Sequence, residues 1–179
     1  MNIRLYCGAA LCAVLAGPGL ASDEVIEDVT EVLPVASDEI EEYRVAGDWV
    51  VFANNTRGNC FMTKSDDSGA VQMGLTKSGE YGYVGAFVKG AEIEEGPKAI
   101  AISVNGNLYF GESNSATQLS DGYNGGYILS NNIKLRYDLG KADEMYLFPD
   151  APYSATVNLK DARKAIFEVQ ECTKKLQSG

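Results

Sequence analysis

No histidine occurs among the 179 residues of this chain. Its absence excludes Ser-His-Asp and Cys-His catalysis, histidine general bases and every zinc site with a histidine ligand. An enzyme of this composition would have to use carboxylate, lysine or tyrosine chemistry, and no cofactor is expected. Basic residues are also scarce: 15 Lys and Arg stand against 25 Asp and Glu, for a net charge of −10. Nucleic-acid affinity rests on clustered Lys and Arg, so no nucleic-acid partner is expected. An anionic membrane surface would repel the chain as well.

The acidity is unevenly placed. Residues 22–42 hold nine acids (Asp23, Glu24, Glu27, Asp28, Glu31, Asp38, Glu39, Glu41, Glu42) and no base. From Tyr43 onward 16 acids face 14 bases, a balance of about −2. The acidic stretch reads as a solvated linker, since high like charge resists burial. A second reading of the same stretch is an amphipathic arm, with Val25, Ile26, Val29, Val32 and Leu33 on one face of a short helix ending at Pro34.

Long apolar runs are missing, with one short exception at the N-terminus. Met1-Asn2-Ile3-Arg4 is a basic start, Leu5 to Leu15 is apolar, and Gly17-Pro18-Gly19 breaks the run. Gly19 and Ala21 place small residues three before and one before a cut after Ala21, the layout of a cleaved secretory signal over residues 1–21. A membrane anchor would need roughly 20 apolar residues, so no span is expected once the signal is removed. Cys7 and Cys12 lie inside the signal, without the surroundings of a lipid-attachment site.

Cleavage leaves two of the four cysteines, Cys60 and Cys172. In an oxidising compartment an isolated pair forms one disulfide; the alternative is two buried thiols. Such a bridge would close a loop of more than 100 residues, which contributes about 4.7 kcal/mol in the chain-entropy model.

Beyond the acidic stretch the pattern is one of short strands between turns. Tyr43 to Ala53 predicts a first strand, carrying Trp49, the only tryptophan, and Val51 on one face. Cys60-Phe61-Met62-Thr63, Val71 to Thr76 and Tyr81 to Val88 follow. Asp66-Asp67-Ser68-Gly69 reads as a turn rather than a calcium loop, because the repeated oxygen ligands are missing. Asn54-Asn55-Thr56 is formally a glycosylation acceptor. Asn105-Gly106, between Ala99–Val104 and Leu108–Phe110, predicts a hairpin, because both turn residues tolerate positive φ.

The polar, glycine-rich stretch from Ser113 to Gly126 reads as a long loop and the place to look for a binding surface, with Tyr123, Asn124 and Tyr127 as its candidate residues. Tyr127 to Leu139 fits either period and leans to a short helix. Glu144 to Pro149 and Tyr153 to Val157 read as strands. A closing helix is capped at Asn158 and runs through Leu159, Ala162, Ile166, Val169 and Leu176, with Cys172 on the buried stripe.

Gly47-Asp48-Trp49-Val50-Val51, followed by Cys60 and Met62, resembles the opening of the invasion-associated locus B family. The segment from Asn158-Leu159-Lys160-Asp161-Ala162 through Cys172 is similar to the leucine-rich helical end of related small exported bacterial proteins. The likeness spans Tyr43 to Leu176. It implies an exported, mainly β, sandwich-like domain linked to the cell envelope and, in some pathogens, to host-cell invasion, without a defined reaction. The middle of this chain lacks a second cysteine pair, so no site residue is carried across.

Together these features predict a mainly β domain over residues 43–179, a sandwich or flattened barrel of about eight strands closed by a C-terminal helix. The expected role is that of a periplasmic or secreted, non-enzymatic binding protein for an unidentified protein or envelope component. A second role is an acidic inhibitor of a basic secreted enzyme such as a lysozyme, using Glu92, Glu94 and Glu95 together with the acidic stretch 22–42. Among possible catalytic acids only Asp48, beside Trp49, has a distinctive setting, and a Gly-Asp-Trp turn explains it equally well.

Overall fold

The computed structural model describes residues 33–79, 81–94, 96–113, 117–118 and 122–178. The signal segment and most of the acidic stretch, with its expected short helix, lie outside these residues, as do Glu95, 114–116 and 119–121. Two antiparallel sheets form the body. The larger runs in the order β1 (Ile40–Ala46), β2 (Trp49–Asn54), β3 (Asn59–Ser65), β4 (Gly69–Leu75), β5 (Gly82–Lys89), β9 (Tyr123–Ser130) and the two-residue β8 (Thr117–Gln118). The smaller runs β11 (Ala155–Asn158), β10 (Glu144–Leu147), β6 (Gly96–Val104) and β7 (Asn107–Ser113). Helix α1 (Ile133–Leu139) links β9 to β10, and helix α2 (Ala162–Ser178) closes the chain. The fold is thus a mainly β sandwich with a C-terminal helix, as expected. It is not a closed barrel, and the described residues form eleven strands, one of them only two residues long.

The smaller sheet is too narrow to cover the inner face of the larger one, and α2 fills the remainder by lying across β1 to β4. Trp49, Val51, Cys60, Met62, Val71 and Val84 meet Ile100, Ile102, Met145 and Leu147 of the smaller sheet and Ala165, Val169 and Cys172 of α2 in one core. Strands β3 and β5 are buried on both faces. Their outer side chains Phe61, Tyr83 and Phe87 join Ala70 of β4 and Tyr127 in a second cluster. There the Tyr127 ring meets Tyr83 and Phe87 edge-on, with centroids 5.7 and 5.3 Å away. These are favourable aromatic geometries.

Four expectations are corrected. First, Tyr43 to Ala53 is a hairpin rather than one strand: Ala46 pairs with Trp49 around Gly47-Asp48. Gly47 sits at φ +68°, with the Asp161 side chain where a Cβ would be, so only glycine fits. Second, the folded domain begins before Tyr43. Leu33 packs on the outer cluster, and the buried Asp38 carboxylate accepts from Arg57 Nε at 2.5 Å and Asn54 Nδ2 at 2.7 Å. Those partners offset the cost of burying a charge.

Third, Tyr123, Asn124 and Tyr127 belong to strand β9 and not to a loop. Gly125 pairs with Phe87, and a Cβ there would come within 2.6 Å of that ring; the glycine serves close packing rather than a turn. Fourth, the last helix starts at Ala162 rather than just after Asn158. Asn158 ends β11 with its Oδ1 accepting from Lys160 N at 2.7 Å, while the Asp161 carbonyl receives the N–H of Ala165 at 3.0 Å.

Other expectations hold. Asn105 and Gly106, at φ +51° and +74°, turn β6 into β7. In the Asp66 turn, Oδ1 accepts from the N–H groups of Ser68 and Gly69. The region from Tyr127 resolves into the end of β9, then a helix from Ile133. Asn54, the formal glycosylation acceptor, is fully buried with its amide on Asp38.

Candidate functional site

Between the β4–β5 end of the larger sheet, α1 and α2 lies a cavity of about 460 Å³, within the size range of small-molecule sites, about 300–1,000 Å³. Each wall has a local cause. Helix α1 is started by Asn132, whose side chain accepts from Lys134 N at 2.9 Å, a side-chain N-cap. Its Leu135 and Leu139 point into the core, while Ile133 and Tyr137, one turn apart, are 82% and 56% exposed and stand at the cavity mouth. Met62, Met73 and Val84 form the floor from the sheet, and Ile166 and Val169 line it from α2.

Both helical walls are anchored. Cys60 and Cys172 form the expected disulfide, with Cα atoms 6.0 Å apart and a sequence separation of 112. Beside it the Cys60 N–H donates to Thr173 Oγ1 at 3.1 Å. Trp49, fully buried as expected of a core residue, donates from Nε1 to the Lys160 carbonyl at 2.9 Å just before α2. On the other wall, the buried Asp138 of α1 accepts from Asn105 Nδ2 at 3.0 Å, Asn107 Nδ2 at 2.9 Å, Tyr109 Oη at 2.6 Å and Lys134 Nζ at 3.1 Å. The hydrogen bonds from Asn105 and Tyr109, more than the Lys134 charge, hold its carboxyl well below the usual carboxylate range. Burial, and then Asp138, push the Tyr109 hydroxyl up. This network, which fastens α1 to the β6–β7 hairpin, is absent from the sequence-based expectations.

The charge around the cavity runs against that of the whole chain. Arg136, Lys141 and Arg163 line it together with the polar Ser130 and Gln170, and none of its described lining residues is an Asp or Glu. Lys141 Nζ donates to the Tyr137 hydroxyl and lies 4.1 Å from the ring centroid. Arg136 Nη2 donates to the Gly79 carbonyl at 3.2 Å. Lys141 and Arg163 have no carboxylate partner among the described residues.

The residues singled out in sequence lie elsewhere. Tyr123 donates to the Asp66 carbonyl at 2.7 Å, Asn124 to the Ala91 carbonyl at 2.8 Å and Tyr127 to Gln72 Oε1 at 2.6 Å. Their polar atoms hold β9 to its surroundings, and burial pushes the Tyr127 hydroxyl up. Asp48 sits in the exposed hairpin turn, 3.3 Å from Lys64 Nζ. Glu92 and Glu94 are exposed between β5 and β6. Among the described residues no group of His, Cys, Asp and Glu could hold a metal ion, and no helix is long and apolar enough to cross a membrane.

Comparison of the chain with protein-family models, curated proteins and solved structures finds no match. The fold and the cavity define the class: a disulfide-bridged, two-sheet β sandwich with a pocket between its larger sheet and its two helices.

Proposed function

We propose that this is an exported, non-enzymatic binding protein of the cell envelope or secreted space, and that the cavity between α1, α2 and the β4–β5 end is its binding site. The observation that carries the reading is the anchoring of both helical walls, α2 by the disulfide and Trp49, α1 by the Asp138 network. A pocket held open by such supports is pre-organised, which lowers the cost of binding. The apolar lining with few polar groups supports ligand binding over a reaction requiring paired carboxylates. The export signal layout, the disulfide and the likeness of Gly47-Asp48-Trp49 and Cys60 to the invasion-associated locus B opening support the compartment.

Titration with N-phenyl-1-naphthylamine, an uncharged dye that brightens in apolar surroundings, tests the site. One saturable site is expected, abolished by Ile166→Trp, which fills the cavity, and retained in Leu108→Ser on the outer face of the smaller sheet. Dye binding that survives Ile166→Trp would remove the cavity from the reading.

A further inference from the structure

We propose that the cavity takes a single-chain amphiphile with an alkyl body and an anionic head, a long-chain carboxylate being its simplest form; this rests on the cavity being the binding site. The argument is one of complementarity. Met62, Met73, Leu135, Leu139, Ile166 and Val169 present an apolar interior able to receive an alkyl chain. Around this lining stand three of the chain's 15 basic residues, and none of the described lining residues is an acid.

In a protein of net charge −10, scattered cations would be expected to face carboxylates. Arg163 and Lys141 instead are exposed beside an apolar cavity, with no carboxylate partner among the described residues. A ligand anion with its chain in the cavity completes both halves, and a guanidinium can hold a carboxylate through two parallel hydrogen bonds. An uncharged alkyl chain would leave Lys141 and Arg163 without an anion, and a cationic head would be repelled. The volume of about 460 Å³ suits one chain rather than the paired chains of a membrane phospholipid.

The test is displacement of the bound dye from the oxidised protein by dodecanoate, dodecan-1-ol or dodecyltrimethylammonium, each below its aggregation threshold. Dodecanoate should displace at about tenfold lower concentration than the alcohol, as two or three solvent-screened ion pairs would give. The ammonium compound should be the weakest. The advantage of dodecanoate over dodecan-1-ol should shrink at high salt. It should vanish in the doubly substituted Lys141→Glu, Arg163→Glu protein, whose exposed changes can be checked for folding by near-ultraviolet circular dichroism.

If the dye binds but acid and alcohol displace it equally, or the double variant keeps the preference, the anionic head is wrong while the binding site stands. If neither the dye nor any alkyl probe binds the folded protein, both proposals fall. Sedimentation with phosphatidylglycerol vesicles separates the sources of the anion. Lysine- and arginine-dependent vesicle binding without a dodecanoate preference would overturn the single-chain ligand.

Discussion

The indole N–H of Trp49 reaches the main-chain carbonyl of Lys160 across 2.9 Å, joining the first hairpin to the residues that launch the final helix. The ring is fully buried, so this hydrogen bond satisfies the one polar atom of the side chain. Trp49→Phe should cost about 1 kcal/mol from the lost hydrogen bond. Trp49→Ala should cost about 3–5 kcal/mol through the cavity it leaves. Urea unfolding of both variants measures the pair, and a Trp49→Phe variant as stable as the wild type would show that the hydrogen bond contributes nothing separate.

The disulfide should matter in the same region. Cys172→Ser is expected to lower stability by about 2–5 kcal/mol and to weaken dye binding, because Val169 lines the cavity one turn earlier on α2. Unfolding and titration of the same preparation read both effects. A large stability loss with unchanged dye affinity would separate the bridge from the site.

The Asp138 network predicts a particular acid response. Its folded carboxyl titrates well below the ordinary value of about 3.9. The stability it contributes is therefore complete above about pH 4 and is lost as pH falls through the lower folded value. Asp138→Asn should remove part of that slope and also destabilise the protein at neutral pH, with a residual slope from Asp38, which burial raises but Arg57, Asn54 and the Val35 N–H lower further. Unfolding free energies from pH 2 to 7 test this. A variant with the full wild-type acid slope would contradict it.

Tyr83 invites the opposite kind of change. Among the described residues its hydroxyl is the buried side-chain polar atom without a hydrogen-bond partner, and burial pushes its ionisation well up. Tyr83→Phe keeps the ring packing and removes the unsatisfied group, so it should stabilise by roughly 1 kcal/mol. A loss of stability would mean that the hydroxyl has a partner in solution.

The proposed export makes a prediction about mass. Protein recovered from the envelope fraction or medium should begin at Ser22, after the cut following Ala21, and should carry no free thiol. Intact-mass measurement with and without thiol alkylation checks both points.

The legible parts of the fold were those with a local signature. Asn105-Gly106 announced its hairpin through residues that tolerate positive φ. Cys172 announced its pairing through its place on the apolar stripe of the last helix. Gly47-Asp48 was harder to see as a turn, because Arg44 to Phe52 reads as nearly continuous extended chain. The stretch from Tyr123 reads as a loop in sequence because glycine ordinarily weakens strands, whereas here Gly125 makes room for the Phe87 ring from the neighbouring strand.

The site was less visible still. The Asp138 network did leave a trace: Asn105, Asn107 and Tyr109 alternate along one hairpin, and Asp138 interrupts the apolar face of α1. The cavity left none, since its walls come from separate stretches, Met62, Met73 to Leu75, Gly82 to Val84, α1 with its flanks, and Arg163 to Gln170 of α2, which no short pattern connects. Arg136, Lys141 and Arg163 are separated along the chain and become a cluster only through tertiary folding.

The most direct measurement of the central claim is an amide and methyl chemical-shift map of the oxidised protein during titration with dodecanoate. Saturable shifts concentrated at Met62, Met73 and Val84, along α1, and at Ile166 and Val169 are the expected result. Shifts confined instead to Leu108, Phe110 and Tyr146, the exposed apolar residues of the smaller sheet, or no saturable shifts at all, would contradict it.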